Sequence, residues 1–122
     1  MKAVASKFIS LLISLAWVDF ALGVDLYTPN VPVAPEGEVF HCSAINVSNQ
    51  ARLVRIELRD HTGEVINFQE SLLNPGAAMW TQIQNSGSSF FDRFCKVTVD
   101  GRKSDVRAGA ILSPRGAFMP AE

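Results

Sequence analysis

Cys42 and Cys95 are the only two cysteines in the chain, and each stands inside a run that alternates with a period of two. In Phe94-Cys95-Lys96-Val97-Thr98-Val99-Asp100-Gly101, Cys95, Val97 and Val99 point one way while Phe94, Lys96 and Thr98 point the other. That is the pattern of a strand with one buried face. The run closes on Asp-Gly, a dipeptide suited to a tight turn. A second alternating set, Val106, Ala108, Ala110 and Leu112, follows and is expected to pair back on it as a hairpin. Around Cys42, Phe40, Cys42 and Ala44 share one face, and Val39, His41, Ser43, Ile45 and Val47 share the other. Both faces carry apolar residues, so only an internal disulfide would make the Cys42 side the core side.

The N-terminus explains why a disulfide is expected. Met1-Lys2 and Lys7 give a short basic start, Phe8 to Trp17 is apolar apart from Ser10 and Ser14, and Ala21-Leu22-Gly23 offers small residues at a cleavage site. These parts in this order predict a secretory signal peptide over residues 1–23, with a mature domain over 24–122. The apolar run is shorter than the roughly 20 residues a membrane span needs. No cysteine stands immediately after the expected cut, which argues against a lipid-anchored start. Export to an oxidising compartment predicts a Cys42–Cys95 disulfide rather than two buried free thiols. A domain of about 100 residues buries only roughly 65% of its unfolded surface, so such a staple matters to it.

Charge excludes one class of partner. The chain has 11 Lys/Arg and 12 Asp/Glu; loss of Lys2, Lys7 and Asp19 leaves nine against eleven, a net of −2. That balance provides no long-range attraction to nucleic acid or to an anionic membrane. Arg102, Lys103, Arg107 and Arg115 lie near Phe90, Phe91 and Phe94 in sequence, but Asp92, Asp100 and Asp105 interleave with them. Charge on an exposed sheet edge is the simpler reading.

The remaining segments read as short strands and turns. Pro29, Pro32 and Pro35 exclude a helix before Glu38 and restrict Tyr27 to Val33 to an edge strand or extended lead-in. Leu53 to Asp60 alternates Val54, Ile56 and Leu58 with Arg55, Glu57 and Arg59, an apolar face against a charged one. Asp60-His61-Thr62-Gly63 turns the chain back into a strand through Ile66 and Phe68, and Asn74-Pro75-Gly76 is a further turn. A strand over Ala77 to Ile83 carries Met79 and Trp80. Asn85 to Ser89 reads as a flexible loop, and the tail after Leu112 as surface-lying or frayed.

About six or seven such strands predict an all-β, antiparallel sandwich with one inter-sheet disulfide. The cysteine placement resembles that of immunoglobulin domains. Ile56 stands where that family has its core Trp, however, and Arg93 where it has its corner Tyr, so the likeness is architectural. The ordered set Cys42-Ser43-Ala44-Ile45-Asn46-Val47-Ser48, Asp60-His61-Thr62-Gly63, Leu73-Asn74-Pro75-Gly76 and Cys95-Lys96-Val97-Thr98-Val99-Asp100-Gly101, with Arg107-Ala108 behind it, resembles a group of small exported bacterial β-sandwich proteins. It covers about Val39 to Leu112, and implies fold and compartment but no activity.

No catalytic arrangement is visible. His41 adjoins Cys42 on a strand, where neighbours point to opposite faces, and His61 falls in a turn. No G-x-S-x-G elbow accompanies either. Glu36 and Glu38 beside prolines and Gly37 read as a solvated loop rather than as a glycosidase pair. Two distant cysteines without H-x-H or C-x-x-C give no metal-ligand spacing, so no cofactor is expected. Asn46-Val47-Ser48 fits a glycosylation sequon but reads as a turn. What remains is binding by surface to a protein or glycan partner of the cell envelope, periplasmic or extracellular. Trp80, Phe90 and Phe91, which bracket the Ser/Gly loop, are the candidate aromatic patch. A small hydrolase with an unrecognised site, and a subunit that assembles by edge-strand addition, are the alternatives.

Overall fold

A computed structural model describes residues 23–122. The predicted signal peptide over 1–23 therefore lies, but for Gly23, outside the described residues. Nine strands run in chain order: β1 Val24–Tyr27, β2 Val31–Val33, β3 Val39–Asn46, β4 Arg52–Asp60, β5 Val65–Leu73, β6 Ala78–Gln84, β7 Phe91–Val99, β8 Val106–Ser113 and β9 Ala117–Pro120. They form two antiparallel sheets. One has the order β1-β7-β4-β5, with β2 also on β7, and the other has the order β6-β3-β8-β9.

The alternation in sequence becomes the two faces of each sheet. Phe40 and Cys42 of β3, Val54, Ile56 and Leu58 of β4, and Cys95, Val97 and Val99 of β7 are all fully buried. Val106, Ala108, Ala110 and Leu112 of β8 lie beside the β3 residues and face those of β4 and β7 from the opposing sheet. Cys42 and Cys95 are disulfide-bonded across the core. The Cys42 face of β3 is thus the inner one, and the fold is the expected all-β immunoglobulin-like sandwich. The expected turns are present: Gly63 at φ 87° and Gly76 at φ 82° supply the left-handed positions, with Gly63 N–H on Asp60 O and Ala77 N–H on Asn74 O.

Three expectations are corrected. β8 does not pair with β7 as a hairpin. It pairs with β3 in the other sheet, Cys42 opposite Ala110, and the chain crosses between sheets through a 3-10 turn at Lys103–Asp105. Two strands that each have an apolar face can bury those faces by opposing each other across the core as well as by lying side by side. Before the crossing, Asp100 extends the β7 pairing to the start of β4, its N–H and Oδ1 bonding to Leu53 O and N–H. The tail does not fray either. β9 returns on β8, and Glu122 exchanges main-chain bonds with Tyr27 of the other sheet, closing that side of the sandwich.

The third correction concerns polar groups expected in solvated loops. Glu38 is buried; its carboxylate takes Arg115 Nη2 at 2.5 Å, Arg115 Nε at 2.6 Å and Ala34 N–H at 2.9 Å. Asn85 is buried as well, donating to Val33 O and Ser89 O at 2.9 Å and accepting the Gly87 N–H, so the Ser/Gly loop is tethered at its root. The Arg115 guanidinium holds the Glu38 carboxyl below its usual value near 4.5, against the opposing effect of burial. Between the lowered and the ordinary value the unfolded chain binds more protons, so stability rises with pH across that window. The contribution is complete above about 4.5 and is lost as pH falls through the lowered value. Glu38→Gln should therefore flatten the acid limb of a plot of urea midpoint against pH. A limb as steep as that of the wild type would show that the pair contributes nothing.

Candidate functional site

Two outer faces are available to a partner, and their chemistry differs. On the β1-β7-β4-β5 sheet, the outward residues of β4 and β5 form an ionic lattice. Glu57 receives Arg55 Nε at 2.9 Å and Arg59 Nη2 at 2.6 Å, and Arg55 Nη1 reaches Glu70 at 3.1 Å. Burial pushes the Glu57 carboxyl up, but the two arginines outweigh it and hold it low. Arg55 also stacks on Phe68 at 4.3 Å. Charges so fully matched leave little field for an ionic ligand.

The outer face of the β6-β3-β8-β9 sheet is different. Register aligns Trp80, Ser43, Gly109 and Pro120 in one row across the four strands, and Gln82, His41, Ile111 and Phe118 in the next. Trp80 is 63% exposed and Phe118 59%. The Phe118 ring lies on Gly109, where a Cβ would sit 2.7 Å from its Cε2. The absence of a side chain there is what lets an aromatic from β9 lean inward over β8. Trp80 and Phe118 thus stand on either side of a strip floored by Ser43, their strands about 14 Å apart at ordinary spacing. Ile45 and Ile111, each 36% exposed, add apolar surface. Where β9 leaves β8 to reach Tyr27, the strip opens into a depression of about 570 Å³ lined by Ser43, Ile45, Phe118, Arg107, Lys103 and Ser104, among others.

The three aromatics singled out from sequence do not share one site. Trp80 lies on this face and also borders a small depression with Gln69 and Met79. Phe90 and Phe91 line a separate depression with Asp60, His61, Asp92 and Arg93, also of about 570 Å³. Arg93 stacks on Phe91 at 3.9 Å. Phe118, not singled out from sequence, is the aromatic that faces Trp80 across the sheet. Its one available signal was alternation in the short run Ala117–Pro120, which the flanking prolines obscured.

The Phe90 depression brings His61 near two aspartates, as acid–base chemistry would need, but Asp60 is already engaged. Its Oδ1 accepts from Thr62 N–H, Thr62 Oγ1 and Glu64 N–H within the turn, and the Thr62 hydroxyl leads in lowering its carboxyl. No ion pair to either histidine is present among the described residues. Among those residues no group of three or more His, Cys, Asp or Glu is placed to hold a metal. Asn46, the sequon residue, is fully buried, which leaves no room for a glycan at that amide.

The disulfide marks a chain that folds in an oxidising compartment. No helix among the described residues is long and apolar enough to cross a membrane. No protein-family model matches the sequence, and no curated protein matches it.

Proposed function

We propose that this protein is a non-catalytic exported module of the cell envelope, periplasmic or extracellular, that binds a protein or glycan partner through the outer face of the β6-β3-β8-β9 sheet. The pairing of Trp80 and Phe118 across a strip floored by Ser43 and Gly109 carries this reading. An exposed indole and an exposed phenyl ring on a rigid sheet supply apolar contact area with little loss of side-chain entropy. Ser43, His41, Gln82 and Arg107 supply hydrogen bonds alongside. The other outer face also exposes two aromatics in one row, Tyr27 and Phe68, but Lys96 and Arg55 lie over their rings and its charges are matched internally.

The test is capture from envelope extract with immobilised protein in wild-type, Trp80→Ala, Phe118→Ala and Phe90→Ala forms. Partner recovery should drop about tenfold or more with either of the first two, the loss expected of an aromatic hot spot. Phe90→Ala should capture as the wild type does. Equal capture by all four forms would refute the assignment of the face. Turnover of ester or glycoside substrates that disappears in His61→Ala would replace binding with hydrolysis.

A further inference from the structure

The cations of the domain are unevenly engaged. With Lys2 and Lys7 set aside, Arg52, Arg55, Arg59, Lys96 and Arg115 are all in ion pairs. Arg93 stacks on Phe91 and donates to Asp92 O. That leaves Arg102, Lys103 and Arg107, which have no carboxylate within ion-pair distance among the described residues. All three belong to the short stretch that carries the chain from β7 into β8. Lys103 and Arg107 line the depression beside Phe118, and Arg107 spends one long bond of 3.4 Å on Val106 O.

The rest of that depression is chiefly apolar. Ile45, Val106, Phe118 and Pro120 wall it, and its uncharged polar side chains are Ser43 and Ser104. Apolar walls with two unpaired cations at the rim suit a carboxylate carried next to an apolar group. A sugar seated there would leave hydroxyls desolvated without partners. A plain alkyl carboxylate would suit the depression but not the strip that leads from it to Trp80, which is floored by Ser43 with His41 and Gln82 alongside. The end of a polypeptide suits both, because it offers an apolar side chain, a carboxylate and main-chain amides.

We infer that the depression takes the C-terminal residue of a partner polypeptide, its apolar side chain between Ile45 and Phe118 and its carboxylate between Lys103 and Arg107. The inference rests on the reading of this face as the partner surface and narrows that partner from protein or glycan to a protein end. The residues before the last cross Ser43 toward Trp80. From β9 to β6 is three strand spacings, about 14 Å, which an extended chain covers in about four residues. Side chains four positions apart lie on the same side of an extended chain. The last residue of the partner and the fifth from its end therefore both face the sheet, the latter against Trp80. Glu122 lines the depression as well but pairs with neither cation, so its charge opposes the incoming carboxylate.

The probe is a set of acetylated pentapeptides varied at the first and last positions, each made with a free carboxylate and as the carboxamide. Titrated into the processed, disulfide-bonded protein, those ending in Leu, Ile, Val or Phe as free acids should bind about tenfold or more tightly than their amides, as loss of a charge-assisted contact implies. Lys103→Gln combined with Arg107→Gln should abolish that preference, and both residues are exposed, so the fold should be retained. Trp80→Ala should weaken acid and amide alike, and Glu122→Gln should tighten the acid a few-fold. Equal binding of acids and amides by the wild type would overturn the inference, as would an acid preference that survives the double replacement. Decanoate or a galacturonate oligosaccharide that binds more tightly than every peptide would also overturn it. If no peptide binds while envelope capture still depends on Trp80 and Phe118, the terminal-residue assignment falls and the partner face stands. If capture is also indifferent to those two rings, both fall.

Discussion

Replacement of Cys42 and Cys95 together by alanine is expected to lower stability by about 4 kcal/mol. The two sulfurs are bonded across 53 positions of sequence, and the open chain regains the freedom that this loop had removed. Both residues are fully buried, so the loss includes contacts between facing sheets as well as chain entropy. A domain of this size has a total stability on the order of 5–15 kcal/mol, so the change removes a large part of it. Urea unfolding of the double variant should show a much lower midpoint and a steeper slope, because the uncrosslinked denatured state exposes more surface. Unfolding of the wild type in the presence of reductant should approach the same curve. A double variant with the wild-type midpoint would show that the sheets hold together without the bridge.

Asn46→Ala should destabilise by about 3 kcal/mol, since it strips buried carbonyls of their donors. The Asn46 amide donates to Leu73 O at 2.9 Å and Gln50 O at 2.8 Å, and its Oδ1 accepts from the Ser48 N–H and hydroxyl. Its main chain bonds to Ala77 and Gly76. One fully buried side chain thus ties the end of β3 to the turn leading into β4 and to the end of β5. Asn46→Asp should be worse, because it keeps the acceptor, loses both donors and buries a charge. Ser48→Ala, which removes one partly exposed hydroxyl, should cost about 1 kcal/mol. Thermal or urea unfolding of the three variants gives the ranking directly. An Asn46→Ala protein no less stable than Ser48→Ala would mean that water replaces the lost amide.

The inward residues of β4, β7 and β8 were legible because alternation is a local property of an extended chain, whereas β3, apolar on both faces, was settled only by the disulfide. Each second residue must point the same way whatever the strand lies beside. The disulfide was legible for a similar reason, since two cysteines allow one pairing. Phe68 and Leu72 show the limit. Their apolar character suggests core, but register sets Phe68 opposite Glu57 on the charged outer face of β4 and Leu72 opposite Leu53 on the same face. The roles of Glu38 and Asn85 were hidden because their partners lie as far as 77 and 52 positions away.

By itself, then, the amino-acid order determined which side of β4, β7 and β8 faces inward, where the chain turns and which sulfurs join. Only the tertiary structure decided that β8 crosses to β3 instead of returning to β7, that Trp80 is matched by Phe118 and separated from Phe90, and that β5 and β6 are edge strands. The reason is that a strand's alternation specifies a face but not a neighbour. Neighbours are chosen by the simultaneous burial of faces that belong to distant parts of the chain.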